Sequence, residues 1–378
     1  MFFADYFETR PLVVARDDPD YFRRLLSLDD IDQILTTRTG CYPDIFLTNA
    51  EREIKAAEYT GRGDEIDPVR LYQLHASGAT IVLNHLNTSH APLAELCAAL
   101  EAEFSAPFQA NIYLTPPRAR GFKAHFDTHD VFILQVHGSK RWRLYGTPIA
   151  LPLSGQGSEA VQEEPGLPVT EFELNAGDTL YIPRGLVHDA PSLDSTSMHI
   201  TVGILSYTWT DLMLESLADA VLEDPAFRRS LPPGMAQPGF DRTAARATFR
   251  KLLDLFAQSA NADAALDAFA GEFINTRRPR LRGQMRQIAS IADINVDSFV
   301  GRHDYLAYSL QEDQTALRLR CYGNEISFPP AAAAGVRFAL TAQRFRVGEL
   351  PGELDDAGKL VLVRRLVREG ILAVVTAQ

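Results

Sequence analysis

Cysteine is scarce in this sequence, and its few copies follow no recognised spacing. The 378 residues contain three cysteines, Cys41, Cys97 and Cys321, which lie far apart and are odd in number. Neither a Cys-x-x-Cys motif nor a Cys/His zinc pattern occurs, which argues against a disulfide scaffold and a zinc finger. We therefore expect reduced thiols in a cytoplasmic protein.

Long hydrophobic runs are absent as well. No segment approaches the roughly 18 to 20 apolar residues that a membrane span needs. The first residues, MFFADYFETRPLVVARDD, lack the basic start and the long apolar core of a signal peptide. We expect no signal peptide and no membrane partner.

Positive charge is in short supply. Lys and Arg total 37 against 49 Asp and Glu, which gives a net charge of −12. This balance opposes broad binding to nucleic acid and weakly favours a basic partner. One basic cluster lies in a predicted connector, and we expect it to be a solvated face that supports a dimer or docks a substrate. Its members are Arg277, Arg278, Arg280, Arg282 and Arg286.

Residues 109–207 carry the two-residue period of β-strands. Short runs rich in β-branched and aromatic residues are separated by Gly, Pro, Asn and Asp, which is typical of a jelly roll or barrel. The segment before them mixes helices with a strand at TIVLNHL, and Ser27 is a plausible helix cap. The β-runs are QANIYLTPP, KAHFDTHDVFILQVHG, KRWRLYG, TEFELNAGDTLYIPRGLVHDA and SMHITVGILS.

The pattern becomes helical after residue 207. Three segments with a 3.6-residue period lie within residues 210–275, and strands then mix with helices in the last hundred residues. We predict domains at 1–207, 208–280 and 281–378, the last a winged-helix-like α+β unit. The acidic, Gly- and Pro-rich loop at 152–168 is expected to be a flap or a solvated insertion.

Ionisable side chains cluster on one predicted core strand. In GFKAHFDTHDVFILQVHG, alternation places His125, Asp127 and His129 on the same face. Such groups are costly inside a barrel unless something such as a divalent metal satisfies them. Two His and one carboxylate form a facial triad for non-haem Fe(II), and His188, after AGDTLYIPRG, is the best third ligand. The alternative is a hydrogen-bonded surface pair of His125 and Asp127.

Three other histidines of these segments are weaker candidates for metal ligands. His129 could be a fourth ligand, but an extra imidazole would block the position that oxygen or a co-substrate needs. His137 precedes a turn glycine and is expected in a solvated loop. His199, in MHITV, is expected in the core or in hydrogen bonds behind the ligands.

These segments resemble the JmjC-type cupin oxygenases, and within them the ribosomal oxygenase group. The likeness is specific within residues 109–207 and diffuse over most of the remaining chain. It implies a double-stranded β-helix core and an Fe(II)- and 2-oxoglutarate-dependent hydroxylase of protein side chains, chiefly in basic ribosomal proteins. The segments that carry it are NIYLTPPRARGFKAHFDTHDVFILQVHGSKRWRLYG, LNAGDTLYIPRGLVHDA, MHITVGILSY and YFETRPLVV.

The resemblance also implies roles for individual residues. It implies that His125, Asp127 and His188 bind iron, and that Lys140 pairs with the carboxylate of 2-oxoglutarate that lies far from the metal. The hairpin GSKRW alone would favour a surface lysine there. Three further positions match polar residues of the family: the hydroxyls of Tyr113 and Thr201 would help to hold the carboxylate, and Asn111 would lie near the metal.

Two aromatic residues, Trp142 and Phe132, are expected in the core.

The chain departs from its closer relatives just after the ligand Asp, where Thr128 and His129 replace acidic residues. That difference concerns the substrate pocket rather than the metal.

Other functions stay open at this level. The substrate could be a ribosomally synthesised precursor peptide, or the chain could be a metal-dependent cupin enzyme for small molecules, for which His129 would be a further ligand. A metal-free binding module is opposed by the complete ligand set. No pattern indicates a methyl-lysine cage, so histone-type demethylation is not favoured.

The resemblance also implies that region 208–280 forms a homodimer.

Overall fold

Antiparallel strands dominate the first half of this computed structural model, which describes residues 1–157 and 165–375. The chain divides into two compact units, Met1–Ser206 and Tyr207–Gln378. Part of the predicted flap at 152–168, residues 158–164, lies outside the described residues. Within the described ranges, no helix has both the length and the apolar character to cross a membrane.

The first unit combines helices α1–α4 with strands β1–β10. The helices are α1 Phe2–Asp5, α2 Leu28–Thr37, α3 Pro68–Ala76 and α4 Ala91–Phe104. The strands are β1 Leu12–Val14, β2 Ile45–Thr48, β3 Thr80–Leu83, β4 Phe108–Thr115, β5 Asp130–His137, β6 Ser139–Leu144, β7 Thr170–Asn175, β8 Thr179–Ile182, β9 His188–Asp189 and β10 Ser197–Ile204.

Two antiparallel sheets form the core of this unit. The larger has the order β1-β8-β5-β10-β4-β3-β2, and the smaller has the order β7-β6-β9. Val131 and Ile133 of the large sheet share a buried cluster with Trp142 and Leu174 of the small one, so the sheets pack face to face. The predicted mainly-β jelly-roll core is confirmed.

Helices cover the other face of the large sheet. Leu71 of α3 and Leu93 of α4 are fully buried in a cluster with Ile112 and Ile200 of the sheet. The predicted cap of α2 is also present, because the Ser27 side chain accepts from the Asp30 backbone N–H and Asp30 bonds back to Ser27. Local sequence and tertiary packing therefore agree in this half of the unit.

One predicted strand is shorter than its sequence suggested. The run KAHFDTHDVFILQVHG becomes strand only from Asp130, while residues 123–129 form loop and bends around a single β-bridge at His125. The prediction of one continuous strand was wrong here. In β5, only residues Asp130–His137 pair with β8 and β10. Residues before Asp130 are therefore outside the sheet, and their side chains need not alternate between its two faces.

The second unit is α+β. Its helices are α5 Trp209–Glu223, α6 Thr243–Ser259, α7 Ala262–Thr276, α8 Gln284–Ala289, α9 Ala333–Thr341 and α10 Asp356–Arg368. Its strands are β11 Phe299–Arg302, β12 Ser309–Glu312, β13 Leu317–Cys321, β14 Asn324–Phe328, β15 Phe345–Arg346 and β16 Leu372–Val374. They form two three-stranded sheets, β15-β11-β16 and β12-β13-β14. The winged-helix-like assignment of 281–378 stays a prediction.

A buried ion pair ties the N-terminal segment to the large sheet. Asp130, at the start of β5, is fully buried and accepts from Arg184 Nη1 at 2.7 Å and from the Tyr181 hydroxyl at 2.6 Å. Arg184 also pairs with Glu8, whose backbone N–H donates to Tyr181. Burial and the Asp130 charge raise the pKa of Tyr181, so its hydroxyl stays a donor.

Arg184→Gln should destabilise the first unit by about 3 kcal/mol, because it leaves the Asp130 carboxylate buried without its cation. Urea denaturation measures the change. The matched control is Arg118→Gln, which breaks the Arg118–Asp194 pair, whose side chains are 81% and 84% exposed. That control should cost at most about 0.5 kcal/mol. Equal effects of the two substitutions would contradict the assigned role of the buried pair.

Candidate metal centre

Three potential metal ligands converge at the mouth between the two sheets. Ligand atoms of His125, Asp127 and His188 all lie within 4.8 Å of one another. Reciprocal backbone hydrogen bonds join the two histidines, from His125 N to His188 O at 3.1 Å and from His188 N to His125 O at 2.8 Å. The predicted ligand set is thus brought together by a single antiparallel bridge.

Both imidazoles are oriented by backbone carbonyls. His125 Nδ1 lies 2.8 Å from Lys123 O, and His188 Nδ1 lies 2.9 Å from Leu186 O. A carbonyl only accepts, so each Nδ1 carries the proton and each Nε2 presents a lone pair. His188 Nε2 faces the Asp127 carboxylate at 3.8 Å. This arrangement behind the ligands is typical of metal-binding histidines.

A glycine holds the backbone of the ligand Asp127 against the turn before β9. The Gly185 N–H donates to the backbone carbonyl oxygen of Asp127 at 3.0 Å. Gly185 has a φ of +87°, and a Cβ there would lie 2.3 Å from Ile149 O. Any side chain would therefore displace this turn, which explains the glycine in PRGLVH.

Electrostatics keep His188 ready to bind a metal. Burial, reinforced by the neighbouring His125, lowers the pKa of His188 to about 4, although Asp127 acts in the opposite direction. The imidazole is therefore neutral near pH 7. Neutral imidazole is the form that coordinates a divalent cation.

The other histidines lie outside this group of ligands. His129 Nε2 lies 3.3 Å from Gln109 Nε2, because the chain bends between Asp127 and Asp130 and alternation fails there. His137 is exposed, as expected, at the end of β5. His199 is buried in β10, as expected.

A cavity of about 300 Å³ extends from the three ligands between the sheets. The register of the large sheet sets its wall, because Tyr113 lies opposite His199 and Thr201 lies opposite Ile133. Volume and mixed lining suit a small-molecule site. The lining residues are Phe46, Thr80, Tyr113, Gly121, Phe122, His125, Asp127, Val131, Ile133, Lys140, Trp142, His188, Asp189, Ala190, His199 and Thr201.

Lys140 is the cationic group of this cavity. It lies in β6 and is 4% exposed, so the surface position suggested by GSKRW alone is not its position. Burial lowers the pKa of Lys140 to about 7. No ion pair to its ammonium group occurs among the described residues, and burial alone shifts its pKa, so an anion would complete the site.

Two further buried nitrogens of the cavity wall have no hydrogen-bond partner in the described chain. They are Nε1 of Trp142 and Nδ1 of His199. Burial, with the charges of Lys140 and His188, lowers the pKa of His199 well below its usual value. Trp142 is buried in the core, as expected, but its ring also lines the cavity, a role that the sequence did not reveal.

The residues expected around the co-substrate differ in their positions. Tyr113 stacks on His199 with ring centroids 4.9 Å apart, and burial followed by the Asp127 charge raises the pKa of Tyr113. Thr201 lies in the cavity wall. Asn111 does not line the cavity but hydrogen-bonds Tyr113 and accepts from the backbone N–H of His85.

An acidic residue that the sequence analysis missed clamps the third ligand. Asp189 follows His188 in β9 and is 3% exposed. It receives two hydrogen bonds of 2.7 Å from Arg143, and a third of 3.0 Å from Arg120. Such bidentate pairing fixes the two-residue strand that carries His188. Three separate segments contribute, so no local motif could have signalled it.

Comparison with known proteins places this site in a family context. Residues 82–212 match the family model of the JmjC domain. Ribosomal oxygenase 1 of Danio rerio is 32% identical over 308 residues, which cover 74% of this chain and 54% of that protein. The bifunctional lysine-specific demethylase and histidyl-hydroxylase NO66 of Drosophila erecta is 35% identical over 243 residues, covering 61% of this chain and 36% of its own length. The chain spans about half or less of these two relatives.

Solved structures show the same fold. YcfD, a ribosomal oxygenase from Escherichia coli in complex with cobalt and 2-oxoglutarate, matches 99% of this chain and 97% of its own, with a TM-score of 0.53 and 18% identity. Another structure of E. coli YcfD gives a TM-score of 0.55 at 19% identity. At these identities the likeness concerns the fold alone.

The fold and the matched domain define a JmjC-type cupin. Residues 82–212 form a JmjC domain, and the chain is similar to the ribosomal oxygenases over most of its length. The resemblance noted for residues 109–207 is thereby confirmed.

Substituting His125, Asp127 or His188 with Ala should weaken binding of Co(II) to the metal-free protein by at least about 100-fold, because each removes one ligand. Isothermal titration measures the affinity. His137→Ala, on an exposed histidine of the same region, is the matched control. Weakening by His129→Ala as large as that by His188→Ala would contradict the proposed ligand set.

Asp189→Asn should weaken Co(II) binding by about tenfold, because the neutral amide cannot accept the paired hydrogen bonds that hold β9. The same titration measures it. Asp194→Asn removes the carboxylate of an exposed ion pair and serves as the control. An Asp189→Asn protein with the affinity of the native chain would show that the clamp does not position His188.

Proposed function

We propose that this chain is an Fe(II)- and 2-oxoglutarate-dependent oxygenase that hydroxylates a side chain of a protein or peptide, with a ribosomal protein as the favoured substrate. One observation carries the proposal. A His-Asp-His ligand set and a buried lysine, which forms no ion pair with the described residues, line the same cavity of about 300 Å³. The names of the relatives, ribosomal oxygenase and histidyl-hydroxylase, support the substrate class.

The metal would be held by His125, Asp127 and His188. Both Nε2 lone pairs are available, since each Nδ1 is engaged by a backbone carbonyl. Three protein ligands leave coordination positions for a co-substrate and oxygen. Bound Fe(II) would supply oxygen activation coupled to oxidation of 2-oxoglutarate to succinate and carbon dioxide.

The far carboxylate of 2-oxoglutarate would bind at Lys140. Its charge, together with the indole N–H of Trp142, which has no acceptor among the described residues, suits an anion better than a neutral group. The hydroxyls of Tyr113 and Thr201 line the same wall and would complete the contacts. Lys140, Trp142 and His199 are buried, so binding would satisfy polar atoms that are otherwise costly.

Apolar residues also line the cavity. Val131 and Ile133 are about 1% exposed, and Phe46 lines the same space. These side chains would exclude water around the reacting groups. The net charge of −12 is compatible with a basic polypeptide substrate, whose approach opposite charge would favour.

The protein reconstituted with Fe(II) without oxygen should form succinate from 2-oxoglutarate in air, and a ribosomal-protein fraction should increase the rate. His125→Ala should abolish formation, since it removes a metal ligand. Lys140→Met should raise the half-saturating 2-oxoglutarate concentration at least about tenfold, the cost of a lost charge-assisted bond. Mass spectrometry quantifies succinate.

Lys123→Met, which neutralises an exposed lysine close to the same ligands, is the matched control and should behave as the native protein. No succinate despite bound iron would contradict the proposal and favour a small-molecule cupin enzyme. Stimulation by a precursor peptide but not by ribosomal proteins would show that the substrate is a precursor peptide rather than a ribosomal protein.

We further propose a homodimer through the exposed apolar faces of α5 and α6. Trp209 and Leu214 of α5 are 77% and 60% exposed, and Phe249 of α6 is 62% exposed. Side chains of this size on adjacent helices favour a partner surface. A cytoplasmic location stays a prediction from the cysteine usage.

A double substitution of Leu214 and Phe249 with Asp should convert a dimer into a monomer, because it places charges in the apolar contact. Light scattering after size exclusion measures the mass. Val361→Asp changes another exposed apolar residue, 68% accessible on α10, and should leave the mass unchanged. A native protein that is monomeric at micromolar concentration would contradict the dimer.

A further inference from the structure

The carboxylate of Asp127 lacks the hydrogen-bond support that the two histidine ligands have. A backbone carbonyl orients each imidazole, at 2.8 Å from His125 Nδ1 and at 2.9 Å from His188 Nδ1. Within the described part of the chain, no group donates a hydrogen bond to the Asp127 carboxylate. The position of this ligand therefore depends on how the backbone around Asp127 is held.

Two consecutive residues hold the segment Asp127–Asp130 at both of its ends. At the first end, the Gly185 backbone N–H donates to the backbone carbonyl oxygen of Asp127 at 3.0 Å. At the other end, Arg184 Nη1 donates to Asp130 Oδ2 at 2.7 Å. Only two residues lie between these anchors, so a shift of the turn that carries Arg184 and Gly185 would move the ligand backbone.

The Arg184 side chain is itself fixed from the N-terminal segment. The Glu8 carboxylate accepts a hydrogen bond from Arg184 Nη1, and the Glu8 backbone N–H donates to the Tyr181 hydroxyl at 2.8 Å. That hydroxyl donates to Asp130 Oδ1 at 2.6 Å. The four residues thus form a closed ring of hydrogen bonds. Because two of its bonds join charged groups, the guanidinium cannot move without breaking strong contacts.

Stability alone does not account for this ion pair. The side chains of Arg184 and Asp130 are 10% and 1% exposed, so both charges have lost most of their water. Apolar residues of similar volume would often stabilise a core equally well or better than such a pair. What a hydrogen-bonded charge pair adds is one fixed arrangement of its atoms.

We propose that Arg184 is a positioning residue for the metal ligand Asp127, and that Glu8 supports it from the N-terminal segment. The inference deepens the proposed function and rests on its ligand set. Arg184 does not line the cavity. It acts by holding the segment Asp127–Asp130 and the turn at Gly185 in one arrangement. Loss of its contacts weakens metal binding through Asp127 and leaves the bridge between the two histidines in place.

Co(II) binding to single and double variants shows through which ligand Arg184 acts. Arg184→Met should weaken binding about tenfold, the cost typical of losing a group that supports a ligand. In an Asp127→Ala background the same substitution should change the affinity less than about twofold, because the ligand through which it acts is gone. In a His125→Ala background it should still cost about tenfold. The visible absorption of Co(II) measures binding.

Two outcomes of this comparison would overturn the inference. An equal loss in the Asp127→Ala and His125→Ala backgrounds would show a general effect on the site rather than one through Asp127. An Arg184→Met protein with the native Co(II) affinity would show no effect at all.

A further double variant separates positioning from stability. Arg184→Met alone leaves the Asp130 carboxylate buried without a cation, and the protein could fail to fold. Adding Asp130→Asn removes that charge and should restore part of the stability, which urea denaturation measures. The Co(II) affinity of the double variant should stay about tenfold below the native value, because the contact that holds the segment is still absent. Recovery of affinity in step with stability would overturn the inference.

Glu8→Ala tests the support from the N-terminal segment without leaving Asp130 unpaired. It should weaken Co(II) binding about threefold, since Arg184 keeps only one of its two carboxylate partners. Glu312→Ala removes the carboxylate of the exposed ion pair with Arg337 in the second unit and is the matched control. Equal affinities of the Glu8→Ala and Glu312→Ala proteins would contradict the role of Glu8.

A second readout needs neither metal nor catalysis. Amide hydrogen exchange of the metal-free protein, followed by NMR, compares the Gly185 N–H with the His188 N–H, which donates to His125 O at 2.8 Å. Arg184→Met should speed exchange at Gly185 at least about tenfold and at His188 less than about threefold, since only the first anchor is released. Equal acceleration at both positions would indicate a general loosening and overturn the inference.

The readouts keep the failure of this inference apart from the failure of the proposed function. A native chain that binds Co(II) but forms no succinate would contradict the proposed activity, and the Co(II) comparison would still decide the role of Arg184. A native chain that does not bind Co(II) would overturn the ligand set and the inference together.

Discussion

An isolated antiparallel bridge between His125 and His188 is the contact on which the rest of the site depends. Neither histidine lies in a long strand, so two backbone hydrogen bonds, of 3.1 and 2.8 Å, set their separation. Asp127 enters through the loop that Gly185 binds, and the buried Asp189 clamp fixes the strand from its other side. A ligand set assembled in this way is rigid although its elements are short, because each segment is held by a partner distant in sequence.

The cavity behind this bridge contains buried polar groups that are unfavourable for the stability of the fold. Lys140 is buried with a lowered pKa, and Trp142 Nε1 and His199 Nδ1 are buried without hydrogen-bond partners among the residues that the structure describes. A core selected for stability alone would avoid such groups, since unsatisfied buried polar atoms are unfavourable. The close packing of the two sheets and the Arg184–Asp130 pair stabilise the surrounding barrel. Polar groups concentrated in one place within a well-packed core are the physical signature of a binding site.

The fold and most of the site could be predicted from the sequence, but the arguments for the two differed in strength. Two-residue and 3.6-residue periods predicted the principal strands and helices, because local propensity and burial agree there. The ligands were predicted from alternation along a strand, yet residues 123–129 are loop, and the same argument wrongly aligned His129 with them. The burial of Lys140 and the clamp at Asp189 depend on how β6 packs against β9 and on arginines from other segments. Such non-local contacts leave no periodic trace in a single sequence.

The measurement that tests the account most directly is a crystal structure of the protein grown without oxygen, with Fe(II) and 2-oxoglutarate. The account predicts the metal on Nε2 of His125 and His188 and on the Asp127 carboxylate, with the far carboxylate of 2-oxoglutarate at Lys140. Metal ligation by His129, or a co-substrate carboxylate bound away from Lys140, would contradict it.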